Sequence, residues 1–124
     1  MVLVDTSVWV AFFRGSRAPP LQALLEAGEA QVHPWVLGEL ALGQLGRKRA
    51  AILDDLRRLP PVAVVSDDEV LAMIEARSLG GRGVGWVDSQ LLAAAMVAGS
   101  ALWTLDRRLA GVASSLGLAA VPSS

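Results

Sequence analysis

The chain opens with the stretch Val2-Leu3-Val4-Asp5-Thr6-Ser7. Its three apolar residues form the short, continuous run that is typical of a buried parallel strand, and residue types that cap helices follow at once. We therefore expect a strand over residues 2–4 that leads directly into a helix over residues 7–13. A start of this kind is typical of α/β proteins with a mainly parallel sheet.

The rest of the chain continues to alternate between strand and helix patterns. Short apolar runs predict strands over residues 30–33, 62–65, 101–104 and 118–121. Apolar spacing and Pro or Gly signals predict helices that start near residues 19, 34, 47, 67, 87 and 107, and the helix over residues 87–98 is almost entirely apolar and so should be buried. We expect one α/β domain over residues 1–121, with a mainly parallel sheet between two helical layers, and a C-terminal tail over residues 122–124.

Composition limits the possible classes of protein. The chain has 124 residues, of which 53% are apolar, enough for the core of one domain. It has no cysteine and one histidine, which excludes a disulfide scaffold, a thiolate zinc site and catalysis by a histidine pair. The net charge of −1 does not indicate nucleic-acid binding. The longest apolar run, residues 91–103, is shorter than the ~20 residues of a membrane span, so we expect a cytoplasmic protein without a membrane segment.

Acidic residues lie where ligands bind in open α/β sheets, outside the carboxyl ends of the strands. Asp5 and Asp106 follow predicted strands, Asp88 begins the buried helix, and Glu39 lies within a largely apolar helix. If they converge, these carboxylates repel one another, and a divalent cation that prefers oxygen ligands, Mg²⁺ or Mn²⁺, removes that conflict. Taken singly, each acid also has a simpler interpretation, as a helix cap or an exposed helix residue.

These motifs resemble those of PIN-domain ribonucleases. The opening stretch resembles their first strand and first acid, Glu39 their second acid, Asp88 with the helix that follows their third, and Thr104-Leu105-Asp106 their fourth. The order, the spacing and the chain length are most similar to the VapC toxins of bacterial VapBC toxin–antitoxin pairs. The expected fold is therefore a PIN-like α/β/α sandwich.

The resemblance implies a Mg²⁺-dependent endoribonuclease toxin that a VapB-like antitoxin inhibits. Asp5, Glu39, Asp88 and Asp106 carry over as the catalytic, metal-binding carboxylates, with Asp106 acting through water, and Thr6 and Thr104 carry over as supporting hydroxyls. Such a site hydrolyses a phosphodiester bond with a metal-activated water. In this chain Arg107 and Arg108 follow the last acid, where the family often has an acid and then an aromatic residue.

Basic residues near the motifs are the candidate RNA contacts: Arg14, Arg17, Arg82 and Arg107. A local basic patch can bind phosphate even when the net charge is near zero, although such arginines also occur on ordinary solvated faces. His33, at the end of a predicted strand, is interpreted as a structural residue.

The apolar content also predicts association, as a homodimer and with the antitoxin. Trp9, Phe12, Phe13 and the apolar face of residues 21–25 are the candidate docking surface, unless they belong to the core.

Three alternatives remain. A catalytically silent PIN-like interaction module would have the same fold. A receiver-type signalling domain needs an acid pair after its first strand, where this chain has Asp5 alone, and a phosphatase with an aspartyl nucleophile needs a second Asp where Ser7 stands.

Overall fold

The structure, a computed structural model, describes residues 1–15 and 19–120. The strands are β1 (Val2–Val4), β2 (Ala30–Gln31) and β3 (Ala101–Trp103). The α-helices are α1 (Thr6–Phe13), α2 (Pro19–Ala27), α3 (Pro34–Ala41), α4 (Arg49–Arg57), α5 (Asp67–Ala76), α6 (Trp86–Ala98) and α7 (Arg107–Ser115), and a 3₁₀ helix (Gly46–Lys48) precedes α4. The predicted tail and Arg17 lie outside the described residues.

The three strands form one parallel sheet in the order β2-β1-β3. The ladder between β1 and β3 continues past their last paired residues, because Asp5 N–H donates to the Trp103 carbonyl at 2.9 Å. The carboxyl ends of β1 and β3 are therefore adjacent, which confirms the α/β arrangement and brings Asp5 beside the segment that carries Asp106.

Residues 62–65, which were predicted to form a strand, do not form one. Val62 and Val65 are buried, whereas the two residues between them are exposed, so the burial repeats every three residues rather than every two. Pro60 and Pro61 just before them also lack the N–H groups that a ladder needs. The segment is instead tied to β2 by the Gln31 side chain, which donates to the Pro61 carbonyl at 3.1 Å.

The last predicted strand, over residues 118–121, is also wrong in extent, and its residue 121 lies outside the described residues. Among the described residues it is reduced to a single parallel bridge between Leu102 and Ala119, with Leu102 N–H donating to the Leu118 carbonyl at 2.7 Å. The strand expected over residues 30–33 ends at Gln31, because His33 already acts as the N-cap of α3 and Pro34 occupies its first turn. The helix expected from residue 47 begins as the 3₁₀ helix and becomes α-helical at Arg49.

The core surrounds α6, as its apolar sequence predicted. Seven consecutive residues of this helix, 89–95, are buried. Helices α6 and α7 pack against β3, α2 packs against β2, and α5 lies on α6. Gly99 ends α6 in the left-handed conformation at φ +68°, which lets the chain turn straight into β3. In the part of the chain described here, no helix has the length and apolar character needed to cross a membrane.

Candidate metal-dependent nuclease site

The site begins with Asp5, where β1 ends and α1 begins. Asp5 is only 8% exposed. It occupies the N-cap position of α1, but its carboxylate does not accept a hydrogen bond from a backbone N–H of that helix. Instead Oδ2 accepts two hydroxyl hydrogen bonds, from Ser7 at 2.7 Å and from Thr104 at 2.7 Å. A buried carboxylate that leaves its own helix uncapped is better explained as a ligand-binding group than as a cap.

Thr104 connects Asp5 to the fourth acidic motif. Its hydroxyl donates to Asp5 and accepts the backbone N–H of Asp106 at 3.0 Å. The Asp106 side chain is exposed and caps α7, since Oδ1 accepts the N–H groups of Arg108 at 2.9 Å and Leu109 at 3.1 Å. Thr104 therefore links the Asp5 carboxylate to the segment of Asp106, and the Asp106 side chain caps α7.

Asp88, in the first turn of α6, is influenced by the negative charges of Asp5 and Asp106. Burial raises the pKa of Asp88, and the negative charges of Asp5 and Asp106 raise it further, while a hydrogen bond from Gly85 N–H opposes them. That N–H donates to Asp88 Oδ2 at 3.1 Å. Asp88 is thus close enough to Asp5 and Asp106 for their charges to act on it.

Glu39 reaches the site from α3. Its Oε1 accepts a hydrogen bond from the Thr6 hydroxyl at 3.0 Å, so it contacts the residue directly after Asp5. The side chain is exposed and lines a cleft beside the C-terminal end of α1. Thr6 therefore positions the second acid, while Thr104 positions the first.

The four carboxylates share one property that suits an oxygen-liganded cation. Within residues 1–15 and 19–120, the hydrogen bonds of each fall on a single oxygen: Asp5 Oδ2, Glu39 Oε1, Asp88 Oδ2 and Asp106 Oδ1. The salt bridge found in these residues, Arg58 with Asp55, involves none of them. This donor chemistry fits Mg²⁺ or Mn²⁺. No three acidic or histidine side chains in the described part of the chain are as close together as the ligands of one ion.

Ser7 is a site residue that the sequence interpretation missed. Besides donating to Asp5, its hydroxyl accepts Leu105 N–H at 3.0 Å and lies 3.3 Å from the Thr104 hydroxyl. The only signal in the sequence is its position two residues after Asp5, where it looked like a helix-capping residue type. It fixes the Asp5 side chain from the helix side while Thr104 fixes it from the neighbouring strand.

The candidate RNA-binding arginines occupy different positions around the site. Arg14 lines a cleft that also contains Glu39. Arg82, in the glycine loop before α6, is 3.5 Å from the Ser115 hydroxyl, and Arg107 is exposed at the start of α7. Arg108 lies against the same loop, since a Cβ atom on Gly83 would be 2.8 Å from its Cδ.

The contacts of His33 are those of a structural residue. The ring is fully buried and its Nδ1 accepts Trp35 N–H at 3.0 Å, which caps α3. Burial lowers the pKa of His33, so the neutral form that accepts this bond is favoured.

The predicted docking surface is only partly at the surface. Trp9 and Leu21 are buried and belong to the core. Phe12, Phe13 and Leu25 are half-buried and line an apolar pocket of about 130 Å³, with Ile52 and Leu56 of α4 among its other walls. Burial in the core therefore accounts for Trp9 and Leu21, and a smaller apolar patch remains.

The fold and the arrangement of acids define the class of protein. The model of the PIN domain family matches residues 2–114, so this chain belongs to the PIN-domain family. The crystal structure of PAE2754 from Pyrobaculum aerophilum has the same fold, with a TM-score of 0.56 and 22% identity over 90% of this chain and 78% of that one.

Within that family, the chain is similar to Ribonuclease VapC32 of Mycobacterium tuberculosis. The two are 46% identical over 120 residues, which are 96% of this chain and 95% of that protein. The resemblance to VapC ribonucleases that the motifs indicated is therefore confirmed. A hydroxyethylthiazole kinase from Salmonella newport is 33% identical over 84 residues, but these are only 31% of that protein, so this similarity does not define a family for the chain.

Proposed function

We propose that this protein is a Mg²⁺- or Mn²⁺-dependent endoribonuclease, the toxin of a cytoplasmic type II toxin–antitoxin pair. The observation that carries the proposal is the set of four carboxylates, each of which is fixed through one oxygen and retains the other for a ligand. The similarity to Ribonuclease VapC32 supports RNA as the substrate.

Asp5, Glu39 and Asp88 are the residues that would hold the ion, and Asp106 would complete the site through water. A divalent cation in such a site supplies an activated water and neutralises the charge that develops on the phosphate. Asp5 is the most firmly positioned ligand, because the Ser7 and Thr104 hydroxyls fix its side chain from two elements. Burial, and then the negative charges of Asp5 and Asp106, raise the pKa of Asp88, and a bound cation would lower it.

The test is cleavage of single-stranded RNA by the purified protein in Mg²⁺, in Mn²⁺ and in excess EDTA. We expect cleavage with either ion, none in EDTA, and recovery when Mg²⁺ is added back in excess. Undiminished cleavage in EDTA would contradict the metal dependence. Absence of cleavage under every condition, from a folded protein, would favour the alternative of a catalytically silent interaction module.

The partner we propose is a VapB-like antitoxin that covers the apolar patch of Phe12, Phe13 and Leu25, and the toxin itself is expected to form a homodimer. Half-buried aromatic rings around a pocket between α1, α2 and α4 supply a suitable contact. Growth should stop when this chain is expressed alone and recover when a small protein encoded beside it is expressed too. If light scattering detects only a monomer, both for this chain alone and after that small protein is added, the homodimer and the antitoxin complex would both be contradicted.

A further inference from the structure

A cleft beside Glu39 is not explained by the metal site. It has a volume of about 410 Å³ and lies between the C-terminal end of α1 and the turn that follows α3. Glu39 forms part of its wall, and Thr6 links Glu39 to the residue next to Asp5. The cleft therefore shares Glu39 with the carboxylate site, and its volume falls within the roughly 300–1,000 Å³ of small-molecule sites.

The other walls combine positive charge, an amide and an aromatic ring. Arg14 and Gln44 line the cleft from opposite elements, and both are exposed. Among the described residues, no carboxylate is close enough to Arg14 to form a salt bridge with it. Phe13 contributes a half-buried ring, which is braced by Trp9 with the ring centres 6.0 Å apart. A guanidinium suits a phosphate, and an amide beside an apolar wall suits the edge of an unstacked base.

We propose that this cleft is a nucleotide subsite, which takes one nucleotide of a single-stranded RNA adjacent to the cleaved bond. Arg14 binds a backbone phosphate, and Gln44 contacts the base edge and so influences where the RNA is cut. The proposal rests on the proposed ribonuclease function and adds the position and the recognition chemistry of the substrate.

The first test measures binding of a fluorescent single-stranded RNA in EDTA over a range of salt concentrations. Arg14→Ala should weaken binding about tenfold, because a charged hydrogen bond is lost. It should also reduce the slope of log affinity against log salt by about 0.7, the contribution of one phosphate contact on a single strand. Arg77→Ala is the matched control, since Arg77 is exposed on the C-cap of α5, which contributes nothing to the cleft.

The second test measures the pattern of cleavage in Mg²⁺ on a pool of RNA sequences. Gln44→Ala should change the preference for the base beside the cut, with about a fivefold or smaller change in total rate. Gln22→Ala is its control, because Gln22 is an exposed glutamine of α2 that contacts Glu26 on its own helix.

A third variant fills the cleft. Gly43 lines the cleft, and a Cβ atom on it would lie 3.4 Å from the Leu40 carbonyl oxygen, so Gly43→Ala should fold. Gly43→Phe should occupy the cleft and weaken RNA binding at least as much as Arg14→Ala does.

The subsite is wrong if the wild type cleaves RNA while Arg14→Ala keeps the full salt slope and Gln44→Ala keeps the wild-type cleavage pattern. If the folded wild type neither binds nor cleaves RNA, the ribonuclease function fails, and the subsite fails with it. Thermal melts of each variant show whether it folds, and the result for Arg14 and Gln44 decides the question even if Gly43→Phe does not fold.

Discussion

The starts of helices α1 and α7 present the same residue type in the same position with different results. Asp5 and Asp106 both follow a strand, both have extended backbone, and both occupy an N-cap. The Asp106 carboxylate accepts two N–H groups of its helix, whereas the Asp5 carboxylate accepts none and is bound by hydroxyls instead. Asp5 is buried and Asp106 is exposed.

The comparison indicates that the side chains around an acid at the end of a strand, and not its backbone position, determine whether its carboxylate caps the helix. Ser7 and Thr104 compete successfully with the helix for the Asp5 carboxylate. Asp106 has no such competitor, because the same Thr104 hydroxyl accepts its backbone N–H rather than meeting its side chain. Asp5 is therefore expected to act mainly in ligand binding, and Asp106 to divide its carboxylate between the helix and the site.

The largest expected effect is on RNA cleavage by Asp5→Asn. The amide can still accept the two hydroxyl hydrogen bonds, but it removes a charged ligand, so activity should fall more than about 100-fold, as the loss of a few kcal/mol of electrostatic stabilisation predicts. Asp106→Asn should cost only about tenfold, because the Asn carbonyl oxygen keeps the cap acceptor and the variant loses only a contact that we propose is made through water. Single-turnover rates at saturating RNA would measure both, and equal losses in the two variants would refute the division of roles.

Binding of Mg²⁺ should separate the two acids in a melting experiment without RNA. The free energy of unfolding of the wild type should rise by about 2.7 kcal/mol when Mg²⁺ is at 100 times its dissociation constant, because the ion binds the folded chain. Asp5→Asn should gain much less, and Asp106→Asn nearly as much as wild type. Melts in EDTA serve as the reference for each protein, and a Mg²⁺ response that is unchanged in Asp5→Asn would show that Asp5 is not a ligand.

Removal of the N-cap side chain of α7 should lower the free energy of unfolding by about 1 kcal/mol. Asp106→Ala leaves the N–H groups of Arg108 and Leu109 without their acceptor and should lower the melting temperature by about 3–5 °C, while Asp106→Asn should change it little. Ser66→Ala is a matched control, because Ser66 caps α5 by accepting Glu69 N–H at 3.2 Å. If Ser66→Ala is destabilising and Asp106→Ala is not, the capping role of Asp106 is wrong.

The sequence was sufficient to predict that Asp5 and Asp106 follow parallel strands of one sheet. The rule that the carboxyl ends of parallel strands share an edge placed Asp5 and Asp106 together, and the order β2-β1-β3 makes their strands neighbours. It was not sufficient for residues 62–65, because a short apolar run has the same composition whether or not its backbone pairs.

The sequence also could not reveal how each acid is held. The bond from Thr104 to Asp5 joins residues 99 positions apart, and the role of Ser7 depends on it. Nor does a pattern of residue types show that Arg14, Glu39 and Gln44 line one cleft, since this depends on the packing of α1 against α3.

The smallest effect concerns Asp88, whose charge is influenced by both acids of the comparison. The pKa of Asp88 in the folded protein lies above the ordinary value of 3.8 that we expect in the unfolded chain. At a pH between the two pKa values the folded protein binds more protons than the unfolded chain, so its free energy of unfolding rises as the pH falls through that window. Asp88→Asn should therefore be more stable than wild type at pH 7 in EDTA, and the difference should shrink toward pH 4.

His33 contributes the opposite slope of stability against pH below pH 6.5, because burial lowers its pKa, but this contribution is present in both proteins and cancels. Asp54→Asn, at an exposed position of α4, is the control for the loss of one carboxylate from the chain. A variant Asp88→Asn that is less stable than wild type at pH 7 would mean that the hydrogen bond from Gly85 outweighs burial and the charges of Asp5 and Asp106.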